Sequence, residues 1–154
     1  MQIELTDKVR AEFGVEGRWW LAVRHRVRWS EVDAFAHVNH ASYLEWYENL
    51  RILYMNACGL PLAMDTPGLV LARITVEYLT PLRFEDEILV TSRVVSFRRS
   101  SFLMDFATWK KGAVNRAQGL LVMIINATGA KVPIPDNVKR VMLERDNATA
   151  EASP

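Results

Sequence analysis

His40-Ala-Ser-Tyr43-Leu-Glu45-Trp46-Tyr47-Glu48-Asn49-Leu50-Arg51-Ile-Leu53-Tyr54-Met55-Asn56-Ala-Cys58 is the stretch that decides the architecture, and Gly59 and Pro61 close it. It is long enough for about five helical turns, and a Gly followed shortly by a Pro is a helix stop. Projected at about 100° per residue, Ser42, Glu45, Asn49 and Asn56 fall in one narrow polar stripe. Tyr43, Leu44, Trp46, Tyr47, Leu50, Leu53, Tyr54 and Met55 take most of the remaining circumference. A surface helix keeps a polar half, so this one is predicted to be wrapped by other structure. Glu48 and Arg51 project into the apolar arc, where burial is costly unless the charges are paired or used.

The flanking sequence supplies the wrapping. From Leu21 to Trp29 the pattern alternates, with Val23, His25, Val27 and Trp29 on one side and Arg24, Arg26 and Arg28 on the other, which predicts a half-buried strand with a wet basic face. After the helix come four runs rich in β-branched and aromatic residues, 69–79, 87–97, 102–109 and 114–126. Short polar or glycine-containing links separate them, including Phe84-Glu-Asp-Glu, Arg98-Arg-Ser-Ser and Lys110-Lys-Gly, which favours antiparallel neighbours. Residues 1–19 read as an N-terminal arm in which Thr6-Asp7 starts a short helix and Gly14 ends it, and a second short helix is predicted over 138–145, with Asp136 as its cap. Residues 146–154 read as a polar, disordered tail. One helix apolar on most sides beside about five strands implies an α+β fold over 20–145, an antiparallel sheet curled around a central helix, which is the hotdog architecture.

Composition narrows the function. The 154 residues suit a single domain, and 50% hydrophobic with 24% charged residues excludes a disordered, collagen-like or coiled-coil chain. Nineteen basic against 18 acidic residues give a net charge of +1, with no footprint for nucleic acid or an anionic membrane. The single cysteine, Cys58, rules out an internal disulfide and any multi-cysteine zinc cluster, and its default reading is a buried, inert thiol. The start of the chain lacks the basic-then-apolar pattern of a secretory leader, and no run approaches 18 apolar residues, so the expectation is a soluble cytoplasmic protein. A glycine-rich phosphate loop is also missing, which argues against nucleoside triphosphate or dinucleotide chemistry.

Chemistry is concentrated just before the helix, in Trp29-Ser-Glu-Val-Asp33-Ala-Phe35-Ala-His37-Val-Asn39-His40. An aromatic-x-x-x-Asp at the end of a strand, a loop ending in His-Val-Asn, then Ala-x-Tyr and a helix with an acid before Arg resembles the 4-hydroxybenzoyl-CoA thioesterase family of hotdog acyl-CoA thioesterases. The order of elements agrees along 20–145. The resemblance implies that Asp33 acts as nucleophile or general base on a thioester. It also implies that the backbone N–H of His40, seven residues on, polarises the carbonyl, with His37 and Asn39 completing the loop. Such an arrangement is physically sound, because the first N–H groups of a helix favour a developing oxyanion. No metal or cofactor is implied, and the partners implied are an acyl-CoA or an acyl carrier protein and further copies of the chain, as a homodimer or homotetramer. Many relatives have Gly where this chain has Ala36, and Asn where it has His40. In another branch the acid lies on the helix eight residues after the polarising amide, which here is Glu48.

Simpler roles stand beside these. Asp33 can cap a turn, Glu48 can pair with Arg51 at i,i+3, and His25 can be a satisfied core histidine. His37 and His40 lack a third metal ligand by spacing. Phe35, Tyr43 and Tyr47 suit an aryl or alkyl group as well as a core. Arg98 and Arg99 are exposed hairpin charge or hold the phosphates of coenzyme A. The functional alternatives are a hotdog hydratase or dehydratase using Asp33 and His37, and a non-catalytic acyl-CoA binding module.

Overall fold

The computed structural model describes residues 2–152. Five long strands carry the fold: β2 (Leu21–Arg26), β3 (Gly68–Tyr78), β4 (Glu87–Phe97), β5 (Ser101–Trp109) and β6 (Ala113–Ile124). Two-residue strands β1 (Gln2–Ile3) and β7 (Thr149–Ala150) are added at the ends of the chain. The order across the sheet is β1-β2-β4-β5-β6-β3, with β7 running parallel to β4. All other pairings are antiparallel, as the short links require. Between β2 and β3 lies the long helix α2 (His40–Ala57), flanked in the chain by α1 (Asp7–Phe13) near the start and α3 (Asp136–Glu144) near the end.

Helix α2 lies on one face of the sheet. Tyr43, Trp46, Tyr47, Leu50, Tyr54 and Met55 are buried against the inner residues of the strands, and Tyr47 stacks on Phe106 at 4.8 Å. The wrapping is less complete than the projection predicts. Leu44 and Ile52 are 36% and 41% exposed, and Glu48 lies between them on the open side. The sheet covers only part of the helix circumference, and positions 44, 48 and 52 repeat one turn apart on the uncovered part. Ser42, assigned to the polar stripe, is buried instead, with its hydroxyl donating to the Glu31 carbonyl at 3.3 Å.

The N-terminal arm covers the other face of the sheet. Phe13 and Trp19 pack on Ala22, Leu89, Ala107 and Trp109, with Ile3, Leu5 and Val9 around them. Thr6 caps α1 by accepting from the Val9 N–H, and Gly14 ends it at φ 66. Gly14 also lies directly against the β5–β6 hairpin, where a Cβ would come within 2.5 Å of the Gly112 nitrogen.

Two expectations are corrected. The strand read as running to Trp29 ends at Arg26. The chain then enters a short 3-10 turn over Trp29–Glu31, so Trp29 is 74% exposed rather than inward. The tail read as disordered is tied down through residue 151. Asp146 accepts from the Tyr54 hydroxyl (2.6 Å) and the Val94 N–H (2.8 Å), and the Glu151 N–H donates to the Phe97 carbonyl at 2.8 Å. Polar composition concealed a carboxylate that satisfies buried donors. Residues 153 and 154 lie outside the described residues.

Candidate active site

The loop between β2 and α2 is a closed turn. Val32 and Val38 form an antiparallel bridge. Inside it the Asp33 N–H donates to the His37 carbonyl (2.8 Å) and the Ala36 N–H to the Asp33 carbonyl (3.1 Å). The Asp33 side chain tightens the same turn, since Oδ1 accepts from the N–H groups of Phe35 (2.8 Å) and His37 (3.4 Å). This is the turn-capping use of Asp, and it occupies only one oxygen. Oδ2 makes no hydrogen bond among the described residues. Ala36 stands at φ 58, the left-handed region that favours glycine, so the Ala departure falls at a strained position.

Asn39 is the N-cap of α2, its Oδ1 accepting from the Ala41 N–H at 2.9 Å, and its own N–H donates to the Glu31 carbonyl at 2.8 Å. The N–H of His40 has no partner among the described residues. A free carboxylate oxygen and a free helix N-terminal N–H thus stand at the two ends of one short loop. A cleft of about 410 Å³ opens beside Asp33, walled by Val32, Ala34, Ala36, Arg83 and the edge-to-face pair Trp29 and Phe84, whose ring centres are 5.6 Å apart. A larger cavity, about 630 Å³, lies under Trp19 on the opposite face of the sheet, and none of the candidate residues lines it.

The other candidates are dispersed. Phe35 is 81% exposed at the tip of the loop. Tyr43 is buried one turn below His40, between Trp46 (5.0 Å) and Tyr78 (5.4 Å), and the Tyr78 hydroxyl donates to the His40 carbonyl at 3.4 Å. Burial pushes the Tyr43 hydroxyl up to about 12. Tyr47 lies deeper, its hydroxyl engaged with Thr108 at 3.1 Å and with Asn115. Glu48 faces outward with its side chain 63% exposed and paired to Arg51 at 3.3 Å. It does not lie where burial is costly; Arg51 does, its side chain 14% exposed and its pKa lowered by that burial. Burial raises the Cys58 thiol to about 12, which keeps it protonated and inert.

Arg98 and Arg99 lie in the β4–β5 link. The other end of β4, Glu87, pairs with Arg26 and so adjoins the Asp33 loop. Ten residues of strand separate the two ends, roughly 33 Å at the usual rise. Within one chain these arginines therefore stand far from Asp33, and Arg98 is paired to Glu151 at 2.9 Å.

One residue of the quoted loop escaped the sequence reading. Glu31 is buried, and its carboxylate accepts from the Arg28 N–H (2.7 Å) and the Trp46 indole N–H (2.9 Å) while His25 Nε2 sits 2.9 and 3.0 Å from its two oxygens. Burial alone would raise its pKa; the donors from Arg28, His25 and Trp46 outweigh that and hold it below the ordinary carboxylate value. A signal was available in the inward-facing His25, which needs a polar partner, and Glu31 is the acid nearest to it in sequence.

Residues 27–142 match the profile of the Thioesterase-like superfamily, well over half of the chain. The chain belongs to that superfamily. Its fold is similar to that of a thioesterase superfamily protein from Jannaschia sp. CCS1, with a TM-score of 0.88 and 27% identity over 98% of this chain and 97% of the other. It is 28% identical over 104 residues to the acyl-CoA thioester hydrolase YbgC of Escherichia coli, which covers 64% of this chain and 78% of YbgC. It is 25% identical over 144 residues to the chloroplastic acyl-acyl carrier protein thioesterase ATL3 of Arabidopsis thaliana, 87% of this chain and 75% of that one. As a member of this hotdog superfamily the chain is a thioesterase.

Proposed function

We propose that the chain hydrolyses an acyl- or aroyl-CoA thioester to a free acid and coenzyme A, with Asp33 as nucleophile or general base and the His40 N–H as the group that polarises the carbonyl. The observation that carries this reading is the pairing of a half-anchored carboxylate with an uncapped helix N–H across one closed loop. Oδ1 is spent on holding the turn, which leaves Oδ2 to attack the thioester carbon or to take a proton from water. The oxyanion that forms falls to the His40 N–H and the positive end of the α2 dipole. When the C–S bond breaks, the thiolate leaves and takes up a proton; if Oδ2 is the nucleophile, water then cleaves the acyl–Asp33 anhydride, and if it is the base, water has already added, so by either route thioester and water become acid and thiol. Acyl-CoA is the substrate that YbgC is named for, and ATL3 is named for the carrier-protein equivalent.

The working unit we propose is a homodimer or a dimer of dimers. β3 is an edge strand with nothing paired on its outer side among the described residues; Val70 and Tyr78 on it and Leu79 just past its end are 43%, 51% and 51% exposed. A two-fold across that edge would pair β3 with its copy and remove the open edge.

The test is thiol release from a panel of aliphatic and aromatic acyl-CoAs and one acyl carrier protein thioester, with wild type, Asp33→Asn and Glu48→Gln. Wild type should turn over at least one thioester, and Asp33→Asn should lose about 10²- to 10⁴-fold in kcat while remaining folded. Glu48→Gln should stay within a few-fold. Near-normal Asp33→Asn with inactive, folded Glu48→Gln would move the reaction to the helix acid, and hydration of an enoyl-CoA without thiol release would replace hydrolysis altogether.

A further inference from the structure

Glu31 is joined to three separate elements at once. Its carboxylate is bound by His25 on β2, by the backbone of Arg28 at the start of the 3-10 turn and by Trp46 on α2. Its carbonyl accepts the N–H of Asn39, the α2 cap, and the hydroxyl of Ser42 in the first turn. These contacts grip both ends of the Asp33 loop, because Glu31 immediately precedes the Val32–Val38 bridge and Asn39 immediately follows it. The His40 N–H comes next after the gripped Asn39, and Asp33 lies two residues after Glu31.

A buried carboxylate is an expensive way to hold a strand against a helix, since apolar side chains of similar volume do so equally well or better. What it adds is direction. Three donors shared over two oxygens fix where the turn leaves the strand relative to where the helix begins. Two groups that must act on the carbon and the oxygen of one carbonyl need that kind of fixing, because an error of about 1 Å in their relative placement costs on the order of 100-fold in rate.

We infer that Glu31, held by His25 and Trp46, is a positioning residue of the thioester site that sets the Asp33 carboxylate against the His40 amide. The inference rests on the roles proposed above for Asp33 and His40. Glu31 touches no reacting atom, and its effect passes through the loop.

The experiment is a double-mutant cycle on thiol release with Glu31→Gln, Asp33→Asn and the pair. Glu31→Gln keeps the shape and replaces the charged acceptor with one carbonyl and an amide. It should lower kcat by about 10- to 100-fold with KM within about three-fold of wild type. In the Asp33→Asn background the same change should cost less than about three-fold, because the group being positioned is already disabled. Trp46→Phe is the second variant if Glu31→Gln fails to fold. It removes one donor while keeping a ring against Tyr43 and His25, and should lower kcat several-fold. A folded Glu31→Gln or Trp46→Phe enzyme with wild-type kcat overturns the inference, as does a Glu31→Gln loss of equal size in both backgrounds. Full activity in Asp33→Asn alone would instead refute the proposed catalytic role of Asp33, so the two failures are distinguishable.

Discussion

Asp146 makes the stability of the fold depend on pH in an unusual direction. It is 8% exposed beneath α2, and both of its hydrogen bonds, from Tyr54 and Val94, fall on Oδ2 while Oδ1 is buried without a partner. Burial outweighs these bonds, the neighbouring Trp20 indole and the Arg93 charge, and raises the carboxyl from its usual 3.8 to about 6. A difference of about two units corresponds to roughly 3 kcal/mol. Its sign follows from proton counting: the folded chain holds the Asp146 proton more tightly than the unfolded chain does. The stabilising contribution is complete below the unfolded value of 3.8 and is lost as pH rises through about 6. At neutral pH the fold carries an ionised, half-satisfied buried carboxylate. Asp146→Asn cannot ionise, and its carbonyl still accepts from Tyr54 and Val94. Urea unfolding of both proteins from about pH 4 to about pH 8 isolates the effect, because every other titrating group is shared. The variant should gain on wild type by up to about 3 kcal/mol across that range, most of it between about pH 4 and pH 6.5. A difference between the two proteins that stays flat with pH, or that runs in wild type's favour as pH rises, would refute the reasoning.

Two further outcomes follow from contacts already described. Gly14→Ala should destabilise by more than the 1–2 kcal/mol, roughly, of a left-handed Ala, because its Cβ would meet the Gly112 nitrogen at 2.5 Å; a Tm drop of at least about 3 °C by scanning calorimetry is expected, and no drop would mean that the arm is not seated on the hairpin. Arg98→Ala with Arg99→Ala should raise KM for acyl-CoA but not for the matching acyl-pantetheine, with kcat little changed, and only if the enzyme is an oligomer by light scattering, since within one chain these side chains lie at the far end of the sheet from Asp33. An unchanged KM for both substrates would remove the pair from the site.

The parts of the fold legible in the sequence were those set by local periodicity. The α2 boundaries, the four strands after it and the capped arm helix all follow from patterns within a dozen or so residues, and the structure has them within one or two positions. What was not legible depends on partners distant in sequence. The tail carries no periodic signal, and its order comes from Asp146 meeting Tyr54, 92 residues away. The covered arc of α2 depends on how far the sheet curls, which no helical projection contains; Glu48 and Arg51 look equivalent on the wheel, yet only Arg51 is tucked in. The candidate site was the most readable part because it is nearly contiguous: Asp33, Asn39 and His40 lie in eight residues, and their hydrogen bonds close locally.

Glu31 and Asp146 show why burial alone does not decide what a carboxylate does. Both are 8% exposed and both join α2 to the sheet. Glu31 spreads its contacts over both oxygens and is held ionised, whereas Asp146 places its bonds on one oxygen and is pushed toward its neutral form. The difference is the number and placement of donors. Glu31 therefore contributes stability that is present above the usual carboxylate range and lost as pH falls through its lowered value, the reverse of Asp146. The fully satisfied carboxylate adjoins the Asp33 loop, where relative placement governs rate. The half-satisfied one anchors the tail, where a looser contact leaves the proposed chemistry untouched.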